Sequence, residues 1–161
     1  MKSPIFQKLD ARISAGEALI KEYQLIEQKI DIAQRSGFRV QTWKVNLKKL
    51  SIITRKIDSY LSQLTGFYNA NQNTFADNTN VYIREYIKYF KSVSYAANLR
   101  TNIQKNVITD CGQKGQAQKG EATLKSRLED IHEMTVALKK CEQNAVSVNK
   151  IVAAMRSNNP T

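Results

Sequence analysis

The residues able to act as metal ligand, nucleophile or neutral-pH base are few: one histidine, His132, and two cysteines, Cys111 and Cys141. A zinc centre built from cysteine and histidine takes about four ligands, which three such residues cannot supply. Glu129 and His132 form a Glu-x-x-His step, placing a carboxylate and an imidazole on one helix face. Di-iron bundles carry that step on two helices, and here a second histidine is missing, so the pair reads as a surface histidine beside a carboxylate. A cysteine nucleophile needs a base, and on a straight helix Cys141 lies about 13 Å beyond His132. There is no Cys-x-x-Cys step and no disulfide framework. A Cys111–Cys141 bridge would have to fold back along a helix about 30 Å long on a short loop, so two reduced thiols are expected. No metal and no cofactor is expected.

Two further patterns carry possible phosphate chemistry. Gly115-Gln-Ala-Gln-Lys-Gly120 opens like a phosphate loop, but Glu121 and Ala122 follow where that motif requires Lys and Ser or Thr. Arg127-Leu-Glu-Asp-Ile-His132 resembles the Arg-x4-6-His spacing of HEPN ribonucleases, which are small helical bundles. Leu128 departs from the polar residue that family carries after the arginine. The resemblance implies an RNA-cleaving enzyme with His132 as general acid or base and Arg127 holding the phosphate. On a regular helix, positions five apart diverge by about 140°, so the two would meet only at a late helix start or across a dimer.

A more extended pattern pairs cations with rings. Arg84, Lys88 and Lys91 recur at steps of four and three, with Tyr82, Tyr86, Tyr89 and Phe90 among them and Tyr95 and Arg100 beyond. Lys48 and Arg55, with Lys44, share an exposed face of the preceding segment. Cations for phosphates beside rings for bases is the combination used by single-strand binders. Lys48, Arg55, Arg84, Lys88 and Lys91 are the candidate phosphate contacts, and Tyr82 and Tyr89 the candidate stacking rings. The competing structural reading makes the tyrosines core residues with wet hydroxyl tips and the lysines a solvated face.

The elements that must position these residues read as helices. Phe6, Leu9, Ile13, Ile20, Tyr23, Ile26 and Ile30 form one stripe over residues 4–35. Ser3-Pro4 supplies a cap and a first-turn proline, and Gly37 a stop. Trp43, Leu47, Leu50, Ile53, Ile57, Leu61 and Leu64 step by four and three over residues 39–66, the repeat that antiparallel bundles need. Residues 69–80, rich in asparagine, predict a polar connector. Helices follow over 80–109 and 121–156, the latter with Leu124, Leu128, Ile131, Leu138, Ala145, Val148, Ile151 and Val152 as its apolar stripe. A glycine-containing loop bearing Lys114 and Lys119 lies between them, and residues 157–161 should fray. Helices of about 40–50 Å, with moderate connections, predict an all-α, single-domain, antiparallel up-down-up-down bundle of four helices.

Length and composition agree with that architecture. The chain has 161 residues, 42% of them apolar, with 6 glycines and 2 prolines, too few turn residues for a many-stranded fold. The 25 basic and 14 acidic residues give a formal charge of +11. The excess is 12 against 6 in residues 1–70, 5 against 3 in 71–110 and 8 against 5 in 111–161. Such a field attracts polyanions. No apolar run approaches the roughly 20 residues of a membrane span, and the start lacks a leader's apolar region; a soluble intracellular protein is expected. The leading expectation is a non-catalytic bundle binding nucleic acid backbone, DNA or RNA, as a small subunit of a nucleoprotein or mobile-element assembly. The alternative is a structural, assembly or adaptor protein, a secretion, pilus or coat component, that docks an acidic protein partner or self-associates into a homo-oligomer.

Overall fold

The computed structural model describes residues 3–35, 40–112 and 120–158, the side chains at 32–35, 40, 111–112 and 120–124 excepted. Four helices follow one another: α1 (Pro4–Arg35), α2 (Val40–Asn71), α3 (Asp77–Gly112) and α4 (Gly120–Ser157). The described residues include no strand. Cross-contacts run in opposite directions at each step. Arg12 and Glu22 of α1 meet Tyr60 and Lys56 of α2. Thr54 and Asp58 of α2 meet Thr101 and Ser94 of α3. Asp110 of α3 meets Arg127 of α4, while Ser92, eighteen residues earlier on α3, meets Cys141, fourteen residues later on α4. The chain is therefore an up-down-up-down all-α domain.

Local chemistry explains the helix ends. Ser3 caps α1 through its carbonyl, which accepts from the N–H groups of Phe6 and Gln7, and Pro4 takes the first-turn position where no N–H is needed. Gly37, the expected stop, lies outside the described residues, as do residues 113–119 with Lys114 and Lys119 and the last three residues.

The asparagine-rich connector is far shorter than its composition predicts. α2 runs on to Asn71 rather than ending near residue 66, a 3-10 turn covers Gln72–Thr74, and α3 begins at Asp77. Two buried rings, Tyr68 and Phe75, hold this end onto the core. Phe75 packs edge-on to Phe6, with centroids 5.8 Å apart, and tilts against Phe67 at 6.2 Å. The amides that argue for a turn do close one. Asn71 Nδ2 donates back to the Phe67 carbonyl at 2.7 Å, and Asn80 Nδ2 donates to those of Gln72 and Phe75 at 3.0 and 3.1 Å. Tertiary burial has overridden weak helix propensity here.

The core is centred on α2 and α3. Leu50, Ile53, Ile57, Leu64, Ile83 and Phe90 have no exposed surface. Phe90 sits against Tyr60 and Tyr86, with centroids at 4.6 and 5.3 Å. Leu9, Tyr23, Ile26 and Ile30 bring α1 onto this cluster, mainly through α2. Gly16 leaves a notch for two phenols, since a methyl group there would lie 2.5 Å from Tyr60 Oη and 2.6 Å from Tyr86 Oη. The two hydroxyls use that notch to donate to the carbonyls of Arg12 (2.7 Å) and Ile13 (3.3 Å).

The predicted apolar stripe of α4 needs correction. Of the predicted residues Leu128, Ile131 and Leu138 are exposed, while Val148 is buried and Ala145, Ile151 and Val152 are half-buried as expected; the unpredicted Met134 and Ala137 are buried, with Cys141 half-buried among them. The inward row steps by three and four and consists largely of small residues, which let α4 lie close to Ala96 of α3. Of the larger aliphatics, Leu138 lies on the flank beside α1 and Ile131 beside Trp43 of α2.

Candidate nucleic-acid interface

The outward surface of α2, α3 and α4 holds the cations singled out from sequence. Lys48, Arg55, Arg84, Lys88 and Lys91 are all exposed. Asp58 fixes how α2 and α3 present them. Its carboxylate accepts from Ser94 Oγ and, at 3.3 Å, from Asn98 Nδ2, which stitches the outer rim of the α2–α3 seam. Arg55 precedes Asp58 by three residues and Lys91 precedes Ser94 by three, so each stands about 60° further outward on its own helix. Lys48 lies two turns along from Arg55. The two helices thus form basic banks on either side of one seam.

The positive excess beside this seam comes mainly from α2. α2 carries Lys44, Lys48, Lys49, Arg55 and Lys56 against a single carboxylate, Asp58, while α1 carries five basic and five acidic residues. Lys56 turns the other way, to Glu22 of α1 at 3.3 Å. Lys88 pairs loosely with Glu85 at 3.8 Å, an exposed contact worth well under about 1 kcal/mol.

The tyrosines divide. Tyr82, Tyr86 and Tyr89 lie on the opposite side of α3 from the lysines, since Lys91 is nine residues past Tyr82, about 180° around the helix. They line a groove between α1 and α4, together with Ile20, Gln24, Ala145, Val148 and Val152. Burial raises the pKa of Tyr82 and Tyr89 above the usual phenol value. Tyr82 and Tyr89 are therefore not brought to the lysine face. The ring that is there is Tyr95, 62% exposed. Its spacing gives the signal: it lies four residues past Lys91 and seven past Lys88, on the same stripe.

Between α3 and α4 this face opens into a cavity of about 720 Å³, lined by Lys88, Lys91, Tyr95, His132, Val136 and Lys140 among others. Glu133 is the one carboxylate on its lining. His132 thus belongs to the cation face. Arg127 does not: it hydrogen-bonds Asp130 at 2.6 Å, reaches Asp110 of α3, and lines a separate cavity beside Trp43 and Met134. The five-residue spacing on a continuous helix separates the two, and within one protomer they do not share a site.

On the α1 side, Glu27 and Arg100 form a largely buried ion pair, both side chains 14% exposed. Arg100 Nε approaches both Glu27 oxygens at 3.0 and 2.8 Å, Nη2 adds a contact at 2.7 Å, and Tyr23 Oη donates to the same carboxylate at 2.6 Å. Burial alone would lower the Arg100 pKa; its hydrogen bond to Glu27 and that carboxylate's charge more than offset this and hold it above its ordinary value. With every lone pair occupied, this cluster is a clip between α1 and α3. Cys141 is a free thiol whose pKa is raised by burial, the opposite of an activated nucleophile. The side chain of Cys111 lies outside the described residues. Among the described residues, no group of three or more His, Cys, Asp or Glu side chains is placed to hold a metal, and no helix is long and apolar enough to cross a membrane.

The fold defines a four-helix all-α domain. Comparison with protein families, with curated proteins and with solved structures finds no match to the chain.

Proposed function

We propose that this domain binds nucleic acid through the phosphate backbone, with the outward face of α2 and α3 as the contact surface, and that it acts as a small non-catalytic subunit of a nucleoprotein or mobile-element assembly. One observation carries the reading: α2 and α3 together carry ten basic residues against four acidic ones, and all five candidate cations on them are exposed. α2 and α3 direct Lys48, Arg55, Arg84, Lys88 and Lys91 outward, whereas the charges of α1 balance. A rigid helical surface with cations at one-turn intervals suits a repeating polyanion.

Fluorescence titration with labelled single- and double-stranded oligonucleotides tests this. Binding at near-physiological salt should be micromolar or weaker, and it should tighten steeply as salt falls. A triple Arg55→Gln, Lys88→Gln, Lys91→Gln variant should weaken binding and lower the salt slope by about one for each phosphate contact removed. Absence of binding to either nucleic acid at about 50 mM salt would end the proposal.

A second reading, an assembly protein associating with a protein partner or with its own copies, is favoured by one specific feature. Leu128, Ile131 and Leu138 stand exposed at 60, 63 and 37% along one flank of α4. Light scattering without nucleic acid separates the two readings, because concentration-dependent self-association supports the second.

A further inference from the structure

We infer that the α3–α4 cavity is a subsite for one unpaired nucleotide, with its base on the Tyr95 ring and its phosphate among Lys88, Lys91 and Lys140, so that the polyanion this face takes is single-stranded. The inference rests on the nucleic-acid reading above and gives it a substrate class.

Tyr95 is the first observation. Among the described residues every other aromatic ring is buried or half-buried, and Tyr95 alone lies open to water. A core role does not explain it. Tyr60, Tyr86 and Tyr23 each bury the ring and place the hydroxyl on a named acceptor, whereas Tyr95 has no hydrogen bond or ring contact among the described residues. An exposed ring presents an apolar face with a wet edge, which is what a base stacks upon.

The second observation is what surrounds the ring. The cavity, about 720 Å³, is of the size that takes a small ligand. Ala137 and Asn144 are the buried residues of its lining and Val136 adds an exposed apolar side chain, while Lys88 and Lys91 from α3 and Lys140 from α4 supply three cations against one carboxylate, Glu133. Lys91 and Lys140 have no carboxylate partner among the described residues, so their charge is available to a ligand. An exposed ring beside three ammonium groups and a single carboxylate matches a nucleotide, flat and apolar at the base and anionic at the phosphate.

The third step is steric. In a duplex the bases are stacked on one another inside the helix, so no base face is free to lie on the Tyr95 ring. A duplex can therefore use the lysines and leave Tyr95 idle. A single strand can use both, and each base stacked on an aromatic ring is worth about a 5- to 100-fold gain in affinity.

Three probes at low salt decide the matter: oligo(dT), a duplex of equal length, and oligoglutamate, a polyanion with no bases. Oligo(dT) should bind most tightly. Tyr95→Ala should weaken oligo(dT) by about 5- to 100-fold, leave the other two unchanged, and leave the salt slope unaltered, because no charge is removed. Tyr95→Phe, which retains the ring, should bind like the parent. An exposed position makes misfolding a minor risk, and the circular dichroism of each variant checks it. If the parent binds but Tyr95→Ala matches it on oligo(dT), or if oligoglutamate binds as tightly, the subsite is wrong while attraction to polyanions stands. If no probe binds, the inference and the function beneath it both fall.

Discussion

The α2–α3 seam and the α1–α4 seam are built from the same kind of helix and end as opposite structures. The first is filled by Leu50, Ile53, Ile57, Ile83 and Phe90 and crossed by a buried hydroxyl pair, Thr54 and Thr101, 3.1 Å apart. The second stays open. Cavities of about 690 and 610 Å³ lie along it and share Ile20, Gln24, Tyr89 and Ala145 on their linings. The flanking residues supply the reason. α1 offers Glu17, Lys21, Gln24, Gln28 and Asp31 to the groove, and α4 offers Glu142, Asn149 and Arg156 beside Leu138. Polar tips that remain hydrated have little to gain from closing. α1 is held instead by its apolar face on α2 and by polar clips: the phenols at Gly16, the Glu27–Arg100 pair and Arg12 over the Phe67 ring at 4.1 Å. The contrast shows that a bundle of four amphipathic helices need not close every seam, and that the candidate cations of α2 and α3 stand on helices joined through side chains with no exposed surface.

Emptying the filled seam should therefore have the largest effect. Phe90→Ala removes a ring with no exposed surface and should cost about 3–5 kcal/mol. Val152→Ala, on the groove wall, should cost about 1 kcal/mol, because water already reaches the site. Urea unfolding followed by circular dichroism measures both. Equal losses would mean that the groove closes in solution and that the two seams do not differ.

The same contrast separates what could be read in the sequence from what could not. The α2 stripe was legible because Trp43, Leu50, Ile53, Ile57 and Leu64 are large, strictly spaced and all buried. The α4 stripe misled because its buried row, with Ala137, Cys141 and Asn144, is small and partly polar, while the conspicuous Leu128 and Ile131 face solvent. Periodicity marks a face, but the neighbour it meets decides which face is buried. Asn46, Thr54, Thr101 and Gln104, buried between helices, carry no such signal at all. The lysine face was legible through its spacing. Its ring was misplaced by adjacency along the chain: Tyr89 is next to Lys88 in sequence but about 100° from it on the helix, whereas Tyr95, seven residues on, shares its stripe.

Alkaline pH should loosen the clips that hold α1, an effect smaller than emptying the core near pH 10 and growing above it. Burial pushes the Tyr60 phenol up to about 12, and burial raises Tyr86 and Tyr23 as well, Tyr23 with the added effect of the Glu27 charge. A raised folded-state value means that the unfolded chain loses these protons first. Stability is then fully present below the ordinary phenol pKa of about 10 and is lost as pH climbs from there toward the folded-state values. The urea midpoint should be level up to about pH 9.5 and fall steadily above it. A Tyr60→Phe, Tyr86→Phe double variant should show a shallower fall, and an unchanged profile would remove these phenols from the attachment of α1.

Two glycines give the smallest effects and the cleanest contrast, because the same substitution should change sign between them. Alanine gains up to about 1 kcal/mol over glycine inside a helix. At Gly66, on the exposed side of α2, nothing lies within 4 Å of the added methyl, so Gly66→Ala should stabilise by about 0.5–1 kcal/mol. At Gly16 the methyl would meet the Tyr60 and Tyr86 hydroxyls at 2.5 and 2.6 Å and the Tyr60 ring carbon at 2.8 Å. Overpacking of about 1–3 kcal/mol outweighs the helical gain there, leaving Gly16→Ala destabilised by about 1 kcal/mol. Both shifts are readable as urea midpoints. If Gly16→Ala were as stabilising as Gly66→Ala, α1 would not be seated on the two phenols, and the open groove would reflect a helix free to move rather than one pinned away from α4.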